Sequence, residues 1–128
     1  ITELKNVHYL GEIKWQEIGN YFASLDIGLI PFVSEKEYPR LKTANSNKVF
    51  QYAYFGYPIV STDFTQVHDL EQIITICKNE DDFIHSIGAT SERADDESRN
   101  MRISYAKEHS WENQVRKIVR ELLVLSNY

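Results

Sequence analysis

Two short apolar runs with one helical segment between them restrict this chain to an α/β fold. The first run, residues 27–32, is apolar at nearly every position, as in a parallel strand covered on both faces. The second run, residues 57–62, follows Gly56, where a left-handed glycine would end the intervening helix. Strand, helix and strand in this order predict a parallel pair joined by a right-handed crossover.

Further segments extend this pattern to a parallel sheet of about four strands flanked by helices. Residues 7–10 and 73–77 are strand-like, and residues 14–25 carry an apolar stripe at helical spacing. Asn79 and Ser110 are residue types that cap helices, and a helix is predicted after each. The last helix has an apolar stripe formed by Val115, Ile118, Val119, Leu122 and Leu123. We treat residues 1–128 as one partial domain.

Composition excludes several classes of function. The chain has 14 basic and 19 acidic residues and a net charge of −5, which argues against nucleic-acid binding through a basic surface. Its single cysteine, Cys77, lies in an apolar run and is expected to be a buried thiol in a reducing compartment. The four histidines lack metal-ligand spacing, so no metal is expected. No apolar run is long enough to span a membrane.

The start of the second helix is the best candidate for a binding site. Asn45, Ser46 and Asn47 are helix-capping residue types, and Lys48 follows them in the first turn. A lysine there opposes the helix dipole, which a bound anion such as a phosphate would explain. The alternative is that the polar cluster only caps the helix and that Lys48 is solvated.

Residues 47–62 resemble the donor-site motif of GT-B glycosyltransferases of the family 4 type, with its Asn-Lys pair, a Gly-x-Pro turn and a final Thr. Four shorter segments resemble further motifs of that family in the same order. They are residues 6–11, 25–31, 81–84 and 109–111. Each motif is weak alone, but together they cover most of the chain.

The resemblance implies a Rossmann-like fold and half of a GT-B C-terminal lobe, as expected for a segment excised from a longer chain. It implies a hexosyltransferase-type enzyme, bacterial and cytoplasmic, that transfers sugar from a nucleotide-diphospho-sugar to a glycan or lipid acceptor. In this family the other lobe binds the acceptor, and no metal or other cofactor is expected. The resemblance also implies peripheral membrane association during polysaccharide synthesis. We expect the isolated chain to be inactive, and its last helix predicts self-association.

Two positions depart from the family pattern. Many members carry two acids eight positions apart, and here those positions hold Thr43 and Gln51. An amide oxygen can accept a hydrogen bond from a ribose hydroxyl, but without charge assistance. The alternative function is therefore a non-catalytic binding module derived from a glycosyltransferase. Elsewhere, His68 and Asp69 form a weaker second candidate site, and Trp15 and Trp111 are expected to anchor the core.

Overall fold

The computed structural model describes residues 4–33, 36–43, 46–92 and 95–125. The described residues form three strands and five α-helices, with two short 3-10 helices at Pro39–Thr43 and Thr65–Leu70. In chain order the main elements are α1 (Ile18–Phe22), β1 (Gly28–Ile30), α2 (Asn47–Phe55), β2 (Ile59–Thr62), β3 (Thr75–Cys77), α3 (Glu80–Glu92), α4 (Asp96–Glu108) and α5 (Trp111–Leu125).

The sheet has the order β1-β2-β3, and all its strands are parallel. Successive side chains on a strand point to opposite faces, so Ile59 and Val60 face opposite sides. Ile59 packs with the helix α2, whereas α3 contacts β2 and β3 through the other face, beside Cys77. The helices therefore cover both faces of the sheet, as expected for an α/β fold.

A continuous core joins the sheet to α2 and α4. Val49 and Ala53 of α2 are fully buried against Ile30 and Ile59, and Ala106 of α4 completes this cluster. The 3-10 segment after β2 adds Val67, which is also fully buried. Burial of these side chains fixes α2 across the sheet, so its first turn lies near the end of the sheet where β1 finishes.

Two glycines shape the ends of α2. Gly56 has φ of 78° and closes the helix, which confirms the left-handed glycine predicted from the sequence. The N–H of Tyr57 donates to the carbonyl of Tyr52 at 3.1 Å in the same turn. Gly28 of β1 faces the Tyr52 ring so closely that a side chain at that position would overlap it. The missing Cβ therefore lets α2 lie close to the sheet.

The strand predicted at residues 7–10 is wrong. These residues form no strand, and His8, Tyr9 and Leu10 are exposed. A strand needs hydrogen bonds from a neighbour, and no other part of the described chain pairs with this segment. The first helix is also shorter than predicted, since α1 covers only Ile18–Phe22. Phe22 anchors it by contacting Tyr52 and Phe55 of α2, each with 5.4 Å between ring centroids.

The local signals at the remaining helix ends are confirmed. Asp82 N–H donates to Asn79 Oδ1 at 2.9 Å at the start of α3. Asn113 N–H donates to Ser110 Oγ at 3.4 Å at the start of α5. The acidic residues Asp95, Asp96 and Glu97 are exposed. Within the residues that the structure describes, no helix has both the length and the apolar character required to cross a membrane.

Candidate functional site

The first turn of α2 has no side-chain cap from the residue that precedes it. Ser46 is extended, with φ of −82° and ψ of 100°, but its hydroxyl accepts no hydrogen bond from the helix. Its carbonyl oxygen accepts the Val49 N–H at 3.0 Å. Among the described residues, no acceptor bonds to the N–H groups of Asn47 and Lys48, and the first N–H groups of a helix have none within the helix itself.

The structure brings four of the six predicted site residues together at this helix end. Ser46 and Gln51 are half-buried, and Asn47 and Lys48 are exposed. Lys48 forms no ion pair with any of the residues described. The other two predicted site residues are Asn45 and Thr43. Asn45 lies outside the described residues, and so does the side chain of Thr43.

Asn47 and Gln51 are one helical turn apart and share one face of α2. That face borders an open concavity of about 1300 Å³, here called the aromatic groove. Lys48 lies about a sixth of a turn from Gln51 around the helix, on the neighbouring face. The groove is lined by residues of α1 and the turn before it, of α2, and of the junction between α4 and α5, among them Trp15, Ile18, Phe22, Phe50, Tyr54, His109 and Trp111.

The two tryptophans of the groove do not anchor the core, so that prediction was wrong. Trp15 is 72% exposed and Trp111 is 83% exposed. Each lies at the mouth of the groove and not beneath the sheet. Aromatic spacing on a helix predicts an apolar face, but it does not show whether the chain itself covers that face. Exposed indole rings beside two amide side chains are typical of ligand-binding surfaces.

A second concavity, of about 530 Å³, lies at the carboxyl ends of the three strands and is here called the carboxyl-edge pocket. It is lined by Phe32 after β1, Asp63 after β2, and Lys78 and Asn79 after β3. Ligands in open parallel sheets bind at this edge. The sequence prediction missed these residues, although the rule that sites follow strand ends could have identified Asp63 and Lys78.

Hydrogen bonds order the polar groups around the carboxyl-edge pocket. His68 Nε2 lies 2.6 Å from Asp63 Oδ1, and both side chains are about half exposed. His68, one of the two residues of the weaker second candidate site, is thus hydrogen-bonded to Asp63. Lys78 N–H donates to Asp82 Oδ2 at 2.9 Å. Burial raises the pKa of the Cys77 thiol, which lowers its thiolate fraction and makes it a poor nucleophile.

Neither concavity carries an evident metal centre. The part of the chain that the structure describes contains no cluster of three His, Cys, Asp or Glu side chains suited to a metal ion. Comparison of the chain with protein-family models, curated proteins and solved structures finds no match.

Proposed function

We propose that this chain is the donor-binding part of a GT-B glycosyltransferase of the family 4 type. In this proposal the first turn of α2 binds the diphosphate of a nucleotide-sugar. The observation that carries the proposal is the first turn of α2, which the Ser46 side chain does not cap and in which Lys48 is exposed. The motif that resembles the family's donor site begins at the same turn, with Asn47 and Lys48.

Electrostatics at this turn favour an anion. The exposed N–H groups and the helix dipole act as about half a positive charge, and Lys48 adds a full one. In the absence of an anion, a lysine at this position destabilises the helix by about 0.3–1 kcal/mol through repulsion from the dipole. A diphosphate reverses the sign of this interaction and accepts hydrogen bonds from the backbone. The leaving diphosphate of a sugar transfer would be stabilised in the same way.

The aromatic groove supports the same proposal from the adjacent face of α2. The amide groups of Asn47 and Gln51 border it and can bond ribose or sugar hydroxyls. Trp15 and Trp111 supply exposed apolar rings for a base or a sugar ring. Gln51 offers only a neutral acceptor where many family members have an acid, so we expect weaker ribose binding than a carboxylate would give.

Calorimetric titration of the chain with UDP-glucose and with GDP-mannose tests the proposal. We expect Lys48→Ala to weaken binding of whichever donor binds about tenfold, because it removes a charge-assisted contact to the diphosphate; tenfold corresponds to ~1.4 kcal/mol. Lys107→Ala is the matched control, since it removes the same charge from an exposed position in the last turn of α4.

The comparison between the two variants decides the outcome. Weakening in Lys48→Ala alone supports a diphosphate at α2. Equal affinities for both variants would remove Lys48 from the site and, with it, the electrostatic basis of the proposal. Failure of both donors to bind at millimolar concentration would contradict the proposal as a whole.

A further inference from the structure

A third cavity lies at the opposite end of the sheet from the first turn of α2. Its volume is about 350 Å³, and residues of α3 and α4 form its walls. Pro58 and Thr75 bound it at the points where β2 and β3 begin. We call it the arginine pocket, because Arg102 of α4 forms part of its lining together with His85 and Thr90 of α3.

Arg102 is unusually buried for an arginine. Its side chain is 8% exposed, and its Nε–H donates to the carbonyl of Gly56 at 3.1 Å, where α2 ends. Its Nη2 is covered and has no hydrogen-bond partner in the structure as described. A buried N–H group without an acceptor costs about 1–3 kcal/mol, and more when the group is charged. The Nε of Arg102 thus has a hydrogen-bond acceptor, whereas Nη2 has none among the described residues.

The described charges around Arg102 include no direct counter-ion. Arg99 lies close enough to repel it, and Asp95 close enough to attract it. Asp95 is, however, already bonded to Ser98: its Oδ1 accepts the backbone N–H at 2.7 Å and its Oδ2 accepts the hydroxyl at 2.9 Å. Arg102 forms no ion pair within the described residues. The balance of these three described charges, Asp95, Arg99 and Arg102, is therefore positive.

We propose that the arginine pocket binds a phosphate group, with the Arg102 guanidinium as its main donor. The Thr90 hydroxyl and the His85 ring lie on the α3 wall and can donate to further phosphate oxygens. A tetrahedral anion suits donors that approach from two helices, and arginine pairs with phosphate through two parallel N–H bonds. Because Nη2 is covered, binding requires a small rotation of the guanidinium towards the cavity.

This site is separate from the proposed donor site and does not depend on it. The donor site lies at the start of α2, whereas Arg102 bonds to the carbonyl at its end. The cavity accommodates inorganic phosphate and also a small phosphomonoester. The two sources are distinguished by titrating with inorganic phosphate and with glycerol 3-phosphate, each at constant ionic strength.

The test is a ¹H–¹⁵N NMR titration of the chain with these two probes. We expect saturable shifts of the Thr75, Ala89 and Thr90 amides and of the Arg102 Nε–H. Ala89→Leu fills the cavity from α3 while leaving Arg102 in place, and we expect it to weaken phosphate binding at least tenfold. Ala23→Leu makes the same change at an exposed position and should bind like the wild type.

The set of amides that shift in the wild-type protein decides the proposal even if a variant fails to fold. Shifts confined to the Ser46, Asn47 and Lys48 amides would overturn the arginine pocket while supporting the donor site. Linear, unsaturated shifts or unchanged binding in Ala89→Leu would also overturn it. A tighter response to glycerol 3-phosphate than to inorganic phosphate would identify a phosphomonoester as the ligand, and the reverse would identify the free ion.

Discussion

At the scale of single residues, Gly28 determines how closely α2 approaches the sheet. An added Cβ at this position would overlap the Tyr52 ring, whose hydroxyl pKa is raised by burial. We expect Gly28→Ala to lower the free energy of unfolding by about 1–3 kcal/mol, the usual cost of overpacking a core. Urea unfolding followed by circular dichroism measures the change.

Gly88 provides the matched control for that substitution. It lies within α3, and an added Cβ there would meet nothing within 4 Å. Gly88→Ala should leave the free energy of unfolding unchanged or raise it by up to about 1 kcal/mol, because alanine favours the helix. A result in which Gly28→Ala is no more destabilising than Gly88→Ala would contradict the close packing of Gly28 against Tyr52.

Residues whose roles depend on nearby sequence were predictable, and residues whose roles depend on distant contacts were not. Gly56 and Asn79 end or begin helices through bonds within a few positions, and both were predicted. The buried Arg102 donates to the carbonyl of Gly56, 46 positions away, and no local sequence pattern indicates this contact. The exposure of Trp15 and Trp111 likewise depends on what covers the helices that carry them.

Among the secondary-structure elements, α4 has a first turn whose stability depends on the protonation of Asp95. The bonds from the Ser98 N–H and hydroxyl hold the pKa of this carboxyl below its ordinary value. A group with a lowered pKa in the folded state stabilises that state above its unfolded pKa, and the contribution is lost as pH falls through the folded pKa. We therefore expect α4 to loosen at its first turn in acid, below about pH 4.

Amide hydrogen exchange at Ser98 in the wild type and in Asp95→Asn tests this expectation. The wild type should lose protection at Ser98 as pH falls below about 4, after correction for the intrinsic exchange rate. Asp95→Asn keeps an acceptor but cannot titrate, so its corrected protection should be lower at neutral pH and independent of pH. An equal acid dependence in both proteins would show that Asp95 does not control this turn.

The helix α5 has the apolar face that its sequence predicts, but that face is not covered by the described residues. Its apolar stripe was predicted from helical spacing and is present, but none of its residues is buried. Periodicity predicts which side of a helix is apolar, whereas burial requires a second surface. The strand predicted at residues 7–10 failed for a related reason, because a strand needs a hydrogen-bonded neighbour and none of the described strands pairs with this segment.

At the scale of the whole molecule, a three-stranded parallel sheet places three concavities in different positions. The α/β class and the parallel pairing of the strands followed from the alternation of apolar runs with helices. The start of α2 was predicted as a site because its polar residues are consecutive. The carboxyl-edge pocket and the arginine pocket were not predicted, because their linings come from segments that are distant in the sequence.

In the proposed function, the first turn of α2 binds the diphosphate of a nucleotide. Mapping UDP and GDP onto the ¹H–¹⁵N spectrum of the chain tests this binding, with uridine and guanosine as probes that lack phosphate. We predict that the diphosphates shift the Asn47, Lys48 and Val49 amides, and that the nucleosides alone leave these amides in place. Shifts centred on the carboxyl-edge pocket, or shifts at α2 of equal size with the nucleosides, would contradict the claim.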